Sequence, residues 1–176
     1  MIHTEPPLNT LHLAHWPDGL AHHLTLPETH LFYNAEVSAT RYPNKAFMLY
    51  YGSTMTFGAF KQQAEQLAGH LQHVCGVQPG DRVMLCMQNC PQWAVAFYAI
   101  IRANAVVVPI NPMNRTEELR HCMTDSGSTV AVIAHNLLPE FDPLLANSAS
   151  AGSGLTQVVV ATYSDALTQP ADTAVP

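Results

Sequence analysis

Residues 82–134, RVMLCMQNCPQWAVAFYAIIRANAVVVPINPMNRTEELRHCMTDSGSTVAVIA, decide the fold. Three solid apolar runs, Arg82–Gln88, Ala105–Ile110 and Thr129–Ala134, are typical of strands buried on both faces. The segments between them have helical periodicity, over Gln92–Asn104 after Pro91 and over Glu117–Asp125, where we expect Thr116 to be the N-cap residue. Strands that alternate with helices predict an α/β fold, a mostly parallel sheet flanked by helices on both faces.

Working outward, the flanking residues predict further elements. Apolar residues at helical spacing predict a long helix over Phe57–Val74. Before it, KAFMLYY at 45–51 and the segment 54–57 predict a hairpin around Gly52-Ser53. We also expect a helix over Leu31–Thr40 capped by Thr29, a weaker helix over Leu137–Asn147, and a last strand at Gln157–Ala161. We divide the chain into an extended arm (1–30), an α/β subdomain (31–165) and a disordered tail (166–176).

Charge is scarce and scattered in this chain. Its 176 residues carry a net charge of −6, and only 11% of them are Asp, Glu, Lys or Arg. Seven basic residues without a stripe cannot neutralise successive phosphates, which argues against nucleic-acid binding. A surface so poor in charge could meet another domain or a second copy of the chain, or uncharged polar residues could cover it.

The N-terminus resembles no secretory signal, so we expect four reduced cysteines and a cytoplasmic protein. No apolar stretch approaches the roughly 20 residues of a membrane span, and contact with a membrane surface stays open.

Motifs that carry chemistry are sparse. The sequence contains neither a G-x-G-x-x-G nor a G-x-x-x-x-G-K-[ST] phosphate loop, and no G-x-S-x-G elbow. The glycine- and serine-rich segment 147–154 has no basic residue beside it and is typical of a linker. The histidines of the arm and the pair Cys86 and Cys90 lack the spacing of a zinc site. We therefore predict no catalytic and no metal-ligating residue, and an inert thiol at the buried Cys86.

Ligand-proximal residues are expected where strands end. In open α/β sheets ligands bind beyond the carboxyl ends of the strands, and these positions are Asn89, Asn111 and His135. The alternative interpretation is that these side chains cap turns.

Several stretches together resemble the N-terminal region of the adenylate-forming superfamily, which includes acyl-CoA synthetases. They are Arg41-Tyr42-Pro43, Met55-Thr56-Phe57, Gly80-Asp81-Arg82-Val83 and Pro109-Ile110-Asn111-Pro112. The Asn111-Pro112 pair looks more like that of fatty-acyl- and aryl-CoA ligases than that of peptide-synthetase domains, and the arm resembles the lead-in of bacterial medium- and long-chain fatty-acid–CoA ligases. One departure is Asn104, where the family usually has glycine; asparagine tolerates the left-handed backbone best among other residues.

The resemblance implies a carboxylate that reacts with ATP to give an acyl-adenylate, from which CoA then displaces AMP. ATP, Mg²⁺ and CoA would serve the full-length enzyme, and we expect none of them bound to this chain. The family's phosphate loop, ribose-binding aspartate and C-terminal lysine lie beyond the matched region. We therefore expect an inactive fragment, whose partners are the remainder of its own chain, a fatty-acid substrate and a second copy in a homo-oligomer. Two alternatives stay open: a flavodoxin-like protein-interaction module, and a fragment of an aryl- or dicarboxylate-CoA ligase.

Overall fold

The structure is a computed structural model that describes residues 11–145, 154–171 and 174–175. Apart from two consecutive strands near its N-terminal end, its helices and strands alternate along the chain. In order they are α1 (Phe32–Arg41), β1 (Ala46–Tyr50), β2 (Ser53–Thr56), α2 (Phe57–His73), β3 (Arg82–Cys86), α3 (Pro91–Arg102), β4 (Val106–Ile110), α4 (Thr116–Ser126), β5 (Val130–Ala134), the short α5 (Leu138–Phe141) and β6 (Gln157–Ala161).

The central sheet has the strand order β4-β3-β5-β6, and its three pairings are all parallel. All five residues of β5 are buried, as are four of the five in β3. Such continuous burial explains why these strands are solid apolar runs, because helices cover a parallel sheet on both faces. The predicted α/β fold is confirmed.

The two faces carry different helices. The chain passes from β3 through α3 to β4, and then returns past β3 through α4 to β5. Because crossovers between parallel strands are right-handed, these opposite moves put α3 on one face and α4 on the other. The next crossover continues in the same direction, so α5 lies on the side of α4, which it contacts.

Apolar residues form two clusters. The main cluster lies between the sheet and its helices and includes the fully buried residues Met84, Leu85, Ile100, Ile133 and Phe141. Burying each such side chain contributes about 1.5–3 kcal/mol. A smaller cluster on the outer side of α2 and α3 consists of Phe32, Ala35, Phe60, Ala64 and Val95. Through it, α1 and the β1–β2 hairpin form an additional layer over α2 and α3.

The hairpin turn lies one residue earlier than the sequence predicted. Tyr51 (φ 45°) and Gly52 (φ 78°) are its two central residues, and Ser53 is already the first residue of β2. Two successive left-handed residues match the right-handed twist of the flanking strands.

The N-cap residues of α1 and α4 differ from those that the sequence predicted. Thr29 does not cap α1, because Leu31 occupies the N-cap position and makes no side-chain hydrogen bond there. Thr116 is the first residue of α4, and Arg115 precedes it as the N-cap residue. The Glu118 carboxylate accepts a hydrogen bond from the Arg115 N–H at 2.8 Å, so the Glu118 side chain caps the start of α4 in place of the predicted Thr116. Strand β3 ends at Cys86, two residues before the predicted Gln88.

The predicted helix over Leu137–Asn147 is broken into three short pieces. A 3₁₀ turn at His135–Leu137 leads into α5, and a second 3₁₀ turn follows at Asp142–Leu144. Pro139 and Pro143 stand at the starts of two of these pieces, where a missing N–H costs least, and each prevents a longer helix. The linker predicted over residues 147–154 falls largely on residues outside those described.

The end of the chain returns to the hairpin. After a 3₁₀ turn at Tyr163–Ala166, the Thr168 N–H donates to Ser53 Oγ at 2.9 Å, and Gln169 Nε2 donates to the Gly52 carbonyl at 2.9 Å. At the other end, the arm contains a 3₁₀ turn at Leu11–His15. The division into arm, subdomain and disordered tail stays a prediction. In the described parts of the chain, no helix has both the length and the apolarity to cross a membrane.

Candidate functional site

The carboxyl ends of all four parallel strands lie along one edge of the sheet, and the three predicted ligand-proximal residues follow there. Asn111 comes directly after β4, Asn89 lies in the loop after β3, and His135 comes directly after β5. These strands are neighbours in the order β4-β3-β5, so the three residues follow one another along the edge. All three are exposed. That they touch a ligand stays a prediction.

The contacts of Asn111 are local. Its side-chain Oδ1 accepts the Met113 N–H at 3.0 Å, which closes a tight turn after the strand. Its backbone carbonyl lies 3.8 Å from the Cys86 thiol at the end of the neighbouring strand. For this residue the geometry favours the turn-capping interpretation.

The strand order identifies where a ligand crevice would form. Chain connections leave β3 toward one face and β5 toward the other, so the gap between these two strands is the topological switch point. Open α/β sheets bind ligands at that gap, beyond the carboxyl ends of the strands. The loop starting at Met87 and the turn starting at His135 border it on either side.

Tyr163 of this chain occupies the switch point. The residue is only 2% exposed, although it lies beyond the end of β6, two strands away from β3. Its hydroxyl accepts the backbone N–H of Gln88 at 2.9 Å, and its ring meets the His135 ring edge-on with centroids 6.4 Å apart. Burial raises the pKa of the Tyr163 hydroxyl, so the phenol stays neutral at physiological pH.

Gln92, in the first turn of α3, holds the segment that carries this tyrosine. Its Nε2 donates to the carbonyls of Thr162 at 2.7 Å and Tyr163 at 3.2 Å. Its Oε1 is buried and accepts no hydrogen bond from the described residues. Together the two residues tie the end of β6 to β3 and α3, and they close the crevice with protein atoms.

A second concavity lies at the same edge, between the loops that follow β4 and β5. Its volume is about 460 Å³, and Asn114, Arg115, Asn136 and Glu140 line its polar part. A cavity of this size lies within the range of small-molecule sites.

Glu140 holds the wall of this concavity together. Its carboxylate accepts hydrogen bonds from the Thr116 hydroxyl at 2.6 Å, from the Thr116 N–H at 2.9 Å and from Arg115 Nη1 at 2.9 Å. The Thr116 hydroxyl and Arg115, together with the Thr116 N–H, keep the pKa of Glu140 below its ordinary value. Arg115, the single cation among the described residues that line the concavity, is therefore already paired with Glu140. The Glu140 carboxylate also supplies the negative charge that stabilises the N-terminus of α4.

The thiols are not poised to react. Burial raises the pKa of Cys86 to about 12, which agrees with the inert thiol expected from its strand position. Cys90 caps α3 by accepting the Trp93 N–H at 3.4 Å, and burial still raises its pKa on balance.

The groups at this edge decide whether it could hold ATP, Mg²⁺ or CoA. Phosphates require cations or converging free N–H groups, and Mg²⁺ requires carboxylate or carbonyl oxygens around one point. The one guanidinium at the edge pairs with Glu140, and within the described ranges no three His, Cys, Asp or Glu residues cluster as metal ligands. The described residues at this edge therefore do not fit these groups.

Sequence reasoning missed the two residues that organise this edge, Tyr163 and Glu140. An aromatic residue two positions after the last apolar strand is a weak signal for Tyr163. Glu140 gave no signal, because its partner Thr116 lies 24 positions away.

An open parallel sheet flanked by helices, with a switch point closed by its own tyrosine, places this chain in the α/β class. The sequence matches the family described as AMP-binding enzyme over residues 35–175. The chain therefore belongs to the AMP-binding enzyme family.

Relatives and solved structures agree with that assignment. The chain is 35% identical over 129 residues to a long-chain-fatty-acid–CoA ligase of Bacillus subtilis, an alignment that covers 73% of this chain and 23% of the relative. A Mycobacterium tuberculosis fatty acyl CoA synthetase matches with a TM-score of 0.67 and 27% identity, covering 78% of this chain and 27% of that one. The fold is that of the N-terminal part of acyl-CoA synthetases.

An anthranilate CoA ligase in complex with anthranoyl-AMP matches with a TM-score of 0.69, covering 77% of this chain and 25% of that one. Its identity of 23% shows a shared fold only.

Proposed function

We propose that this chain is the N-terminal portion of an ATP-dependent fatty-acyl-CoA ligase. The carboxylate attacks the α-phosphate of ATP to give an acyl-adenylate and pyrophosphate. The CoA thiol then attacks the acyl carbon, and AMP leaves as the thioester forms. The family membership and the 35% identity to a long-chain-fatty-acid–CoA ligase support this activity for the whole protein.

Within that ligase, the described part acts as a scaffold. The observation that carries this role is Tyr163, which fills the switch point where an open sheet would otherwise receive a ligand. The paired Arg115 supports the same role, since its guanidinium is bonded to Glu140. ATP, Mg²⁺ and CoA are then held by parts of the ligase outside this chain, which is inactive by itself.

Carboxylate-dependent exchange of labelled pyrophosphate into ATP tests the scaffold role. The purified chain is assayed with decanoate and palmitate, beside a longer polypeptide translated from the same reading frame. We expect exchange from the longer polypeptide and none from the chain. A parallel purification from cells lacking the expression plasmid controls for host ligases. Exchange that co-elutes with the pure chain and exceeds this control contradicts the proposal.

The substrate class has a second candidate. The shared fold with an anthranilate CoA ligase supports an aryl carboxylate as well as a fatty acid, and a dicarboxylate belongs to the same alternative. Trapping of the acyl-adenylate by hydroxylamine separates these candidates in the longer polypeptide. We expect hydroxamate from C8–C16 fatty acids; hydroxamate from benzoate, anthranilate or succinate alone assigns the alternative class.

The remaining candidate is a flavodoxin-like interaction module, which the strand order supports. Counting from β3, the order β4-β3-β5-β6 corresponds to 2-1-3-4, the arrangement of flavodoxin-like sheets. A native stop codon near the end of the sequence would favour the module over the ligase. A cytoplasmic location, with or without contact to the membrane surface, is part of the ligase proposal.

A further inference from the structure

A small cavity lies in the layer that α1 and the β1–β2 hairpin form over α2 and α3. Its volume is about 120 Å³, and α1, β1, α2 and α3 each supply part of its wall. An apolar protein cavity of roughly 150 Å³ holds one benzene molecule, so this space suits a single ring-sized group. The cavity shares no lining residue with the concavity at the sheet edge, and is therefore a separate place on the molecule.

Four aromatic rings line the cavity. The Phe47 centroid lies 4.8 Å from that of Phe57 and 4.4 Å from that of Phe60. The Phe60 ring meets the Tyr98 ring edge-on, with centroids 5.3 Å apart. Phe47, Phe57 and Tyr98 are only half-buried, and each contributes to the wall. Because aromatic rings attract one another in tilted and edge-to-face arrangements about 4.5–7 Å apart, a ring placed in the cavity would extend this cluster.

One wall of the cavity is polar and uncharged. Asn34 and Ser38 lie one helical turn apart on α1, so they share the helix face that borders the cavity. A carboxamide and a hydroxyl can each donate and accept hydrogen bonds. Among the described residues that line the cavity, none is charged. The wall therefore offers hydrogen bonds to one polar group of a ligand, but no ion partner to a charged one.

Arg102 makes the surroundings unfavourable for a cation. Its guanidinium carbon lies 5.6 Å from the centroid of Phe32, and that ring lies 6.4 Å from the Tyr98 ring. Aromatic rings hold ammonium groups by cation–π attraction, but here a cation is already present beside the ring cluster. A carboxylate would in turn lose its water without gaining a partner in the wall. The class of ligand that fits is therefore neutral.

We propose that this cavity binds one neutral aromatic ring that carries a hydroxyl group, which is the chemistry of a phenol. The ring packs among Phe47, Phe57 and Tyr98, and the hydroxyl exchanges hydrogen bonds with Ser38 or Asn34. Binding makes and breaks no covalent bond. This inference is independent of the proposed function.

A titration of the ¹⁵N-labelled 176-residue chain measures the binding. Phenol is added up to about 10 mM, and the amide chemical shifts report both the place and the strength of binding. We expect saturable shifts at the four residues that supply the rings, with a dissociation constant of about 0.1–5 mM for so small a ligand. Shifts that do not saturate, or that spread over the surface without concentrating at the cavity, overturn the proposal.

Two related compounds test the ligand class. Cyclohexanol keeps the size and the hydroxyl of phenol and loses the aromatic ring, so it should bind about two- to tenfold more weakly. Benzylammonium keeps the ring and adds a positive charge, so it should bind at least about tenfold more weakly. Binding of either compound as tight as that of phenol overturns the assigned chemistry.

Filling the cavity tests its location. Ser38→Leu places a larger apolar side chain in the space and should weaken phenol binding at least about tenfold. Thr40→Leu makes a comparable change at an exposed position of the same helix and should leave the binding unchanged. Circular dichroism checks folding, and Asn34→Leu replaces Ser38→Leu if that variant does not fold. Phenol binding that a folded cavity-filling variant retains in full overturns the proposal.

A phenol group could come from a free molecule or from a tyrosine side chain of a longer polypeptide. We assign it to a free molecule, because a space of about 120 Å³ admits a ring but no stretch of backbone. Saturation transfer to phenol compares the 176-residue chain with the longer polypeptide translated from the same reading frame. The two affinities should agree within about threefold. Loss of phenol binding in the folded longer polypeptide shows that its own residues fill the cavity, and overturns the proposal.

Discussion

Gly127, at the end of α4, combines two constraints that substitution can separate. Its backbone is left-handed, with φ +65°, and a Cβ added there would lie 2.9 Å from Arg82 Nη2. Arg82 is anchored nearby, because its Nε donates to the Ser126 carbonyl at 2.7 Å at the C-terminus of the same helix. Gly127→Ala should therefore introduce backbone strain and also displace this arginine.

The expected loss in the free energy of unfolding is the sum of the backbone strain and the lost hydrogen bond. A left-handed conformation costs a residue with a Cβ about 1–2 kcal/mol. Loss of the Arg82–Ser126 hydrogen bond adds about 1 kcal/mol. We expect Gly127→Ala to lower the free energy of unfolding by about 2–3 kcal/mol. For a chain of this size, each kcal/mol shifts the melting temperature by about 2–4 °C.

Gly76 provides a control for the strain alone. It is also left-handed, with φ +74°, but a Cβ there would meet no atom within 4 Å. In urea unfolding followed by circular dichroism, Gly76→Ala should cost about 1–2 kcal/mol. In an Arg82→Ala background, the cost of Gly127→Ala should fall to the Gly76→Ala value. Equal costs for the two glycine substitutions in the unsubstituted chain would refute the role assigned to Arg82.

Three further predictions concern single side chains. The lowered pKa of Glu140 means that its carboxylate stabilises the fold above the ordinary pKa of about 4.3, and that this contribution is lost as the pH falls through the lower folded pKa. In urea unfolding, Glu140→Gln should therefore lower the free energy of unfolding at pH 7 and leave it nearly equal to that of the parent chain at low pH. The control Glu117→Gln, on an exposed side chain, should change the free energy of unfolding little. A loss of stability for Glu140→Gln that does not depend on pH would contradict this. Tyr163→Phe should cost about 1 kcal/mol in the same assay, because the Gln88 N–H loses its acceptor, and no change in stability would argue against the bond. Asn104 has φ +58°, so Asn104→Ala should lower the melting temperature while Asn104→Gly should not, and equal melting temperatures for both would disprove the backbone argument.

The sheet could be predicted because its strands are solid apolar runs bounded by turn residues. The bounds of β6 agree with the prediction at both ends, and β5 differs by one residue. The tolerance of Asn104 for a left-handed backbone was likewise readable from residue type, and its φ of +58° agrees. Information of this kind is local, because a residue and its near neighbours determine it.

The helix caps and the candidate site depend on distant residues. Thr116 does not cap α4 because Glu118 and Glu140 supply carboxylates to that helix end. Tyr163 reaches the Gln88 N–H across 75 positions of sequence, and no periodicity encodes which backbone group a buried hydroxyl will find. The side-chain contacts at the carboxyl ends of the strands could therefore not be predicted from the sequence, although the position of this edge could.

The strand order β4-β3-β5-β6 has a consequence for how the polypeptide folds as it leaves the ribosome. The earliest strand of the sheet, β3, lies in its interior, and each later strand joins an edge that is free when it is synthesised. Translation can therefore build the sheet without displacing a strand that has already paired. Tyr163 emerges after β6, so its hydrogen bond with Gln88 can form only once these four strands have been synthesised.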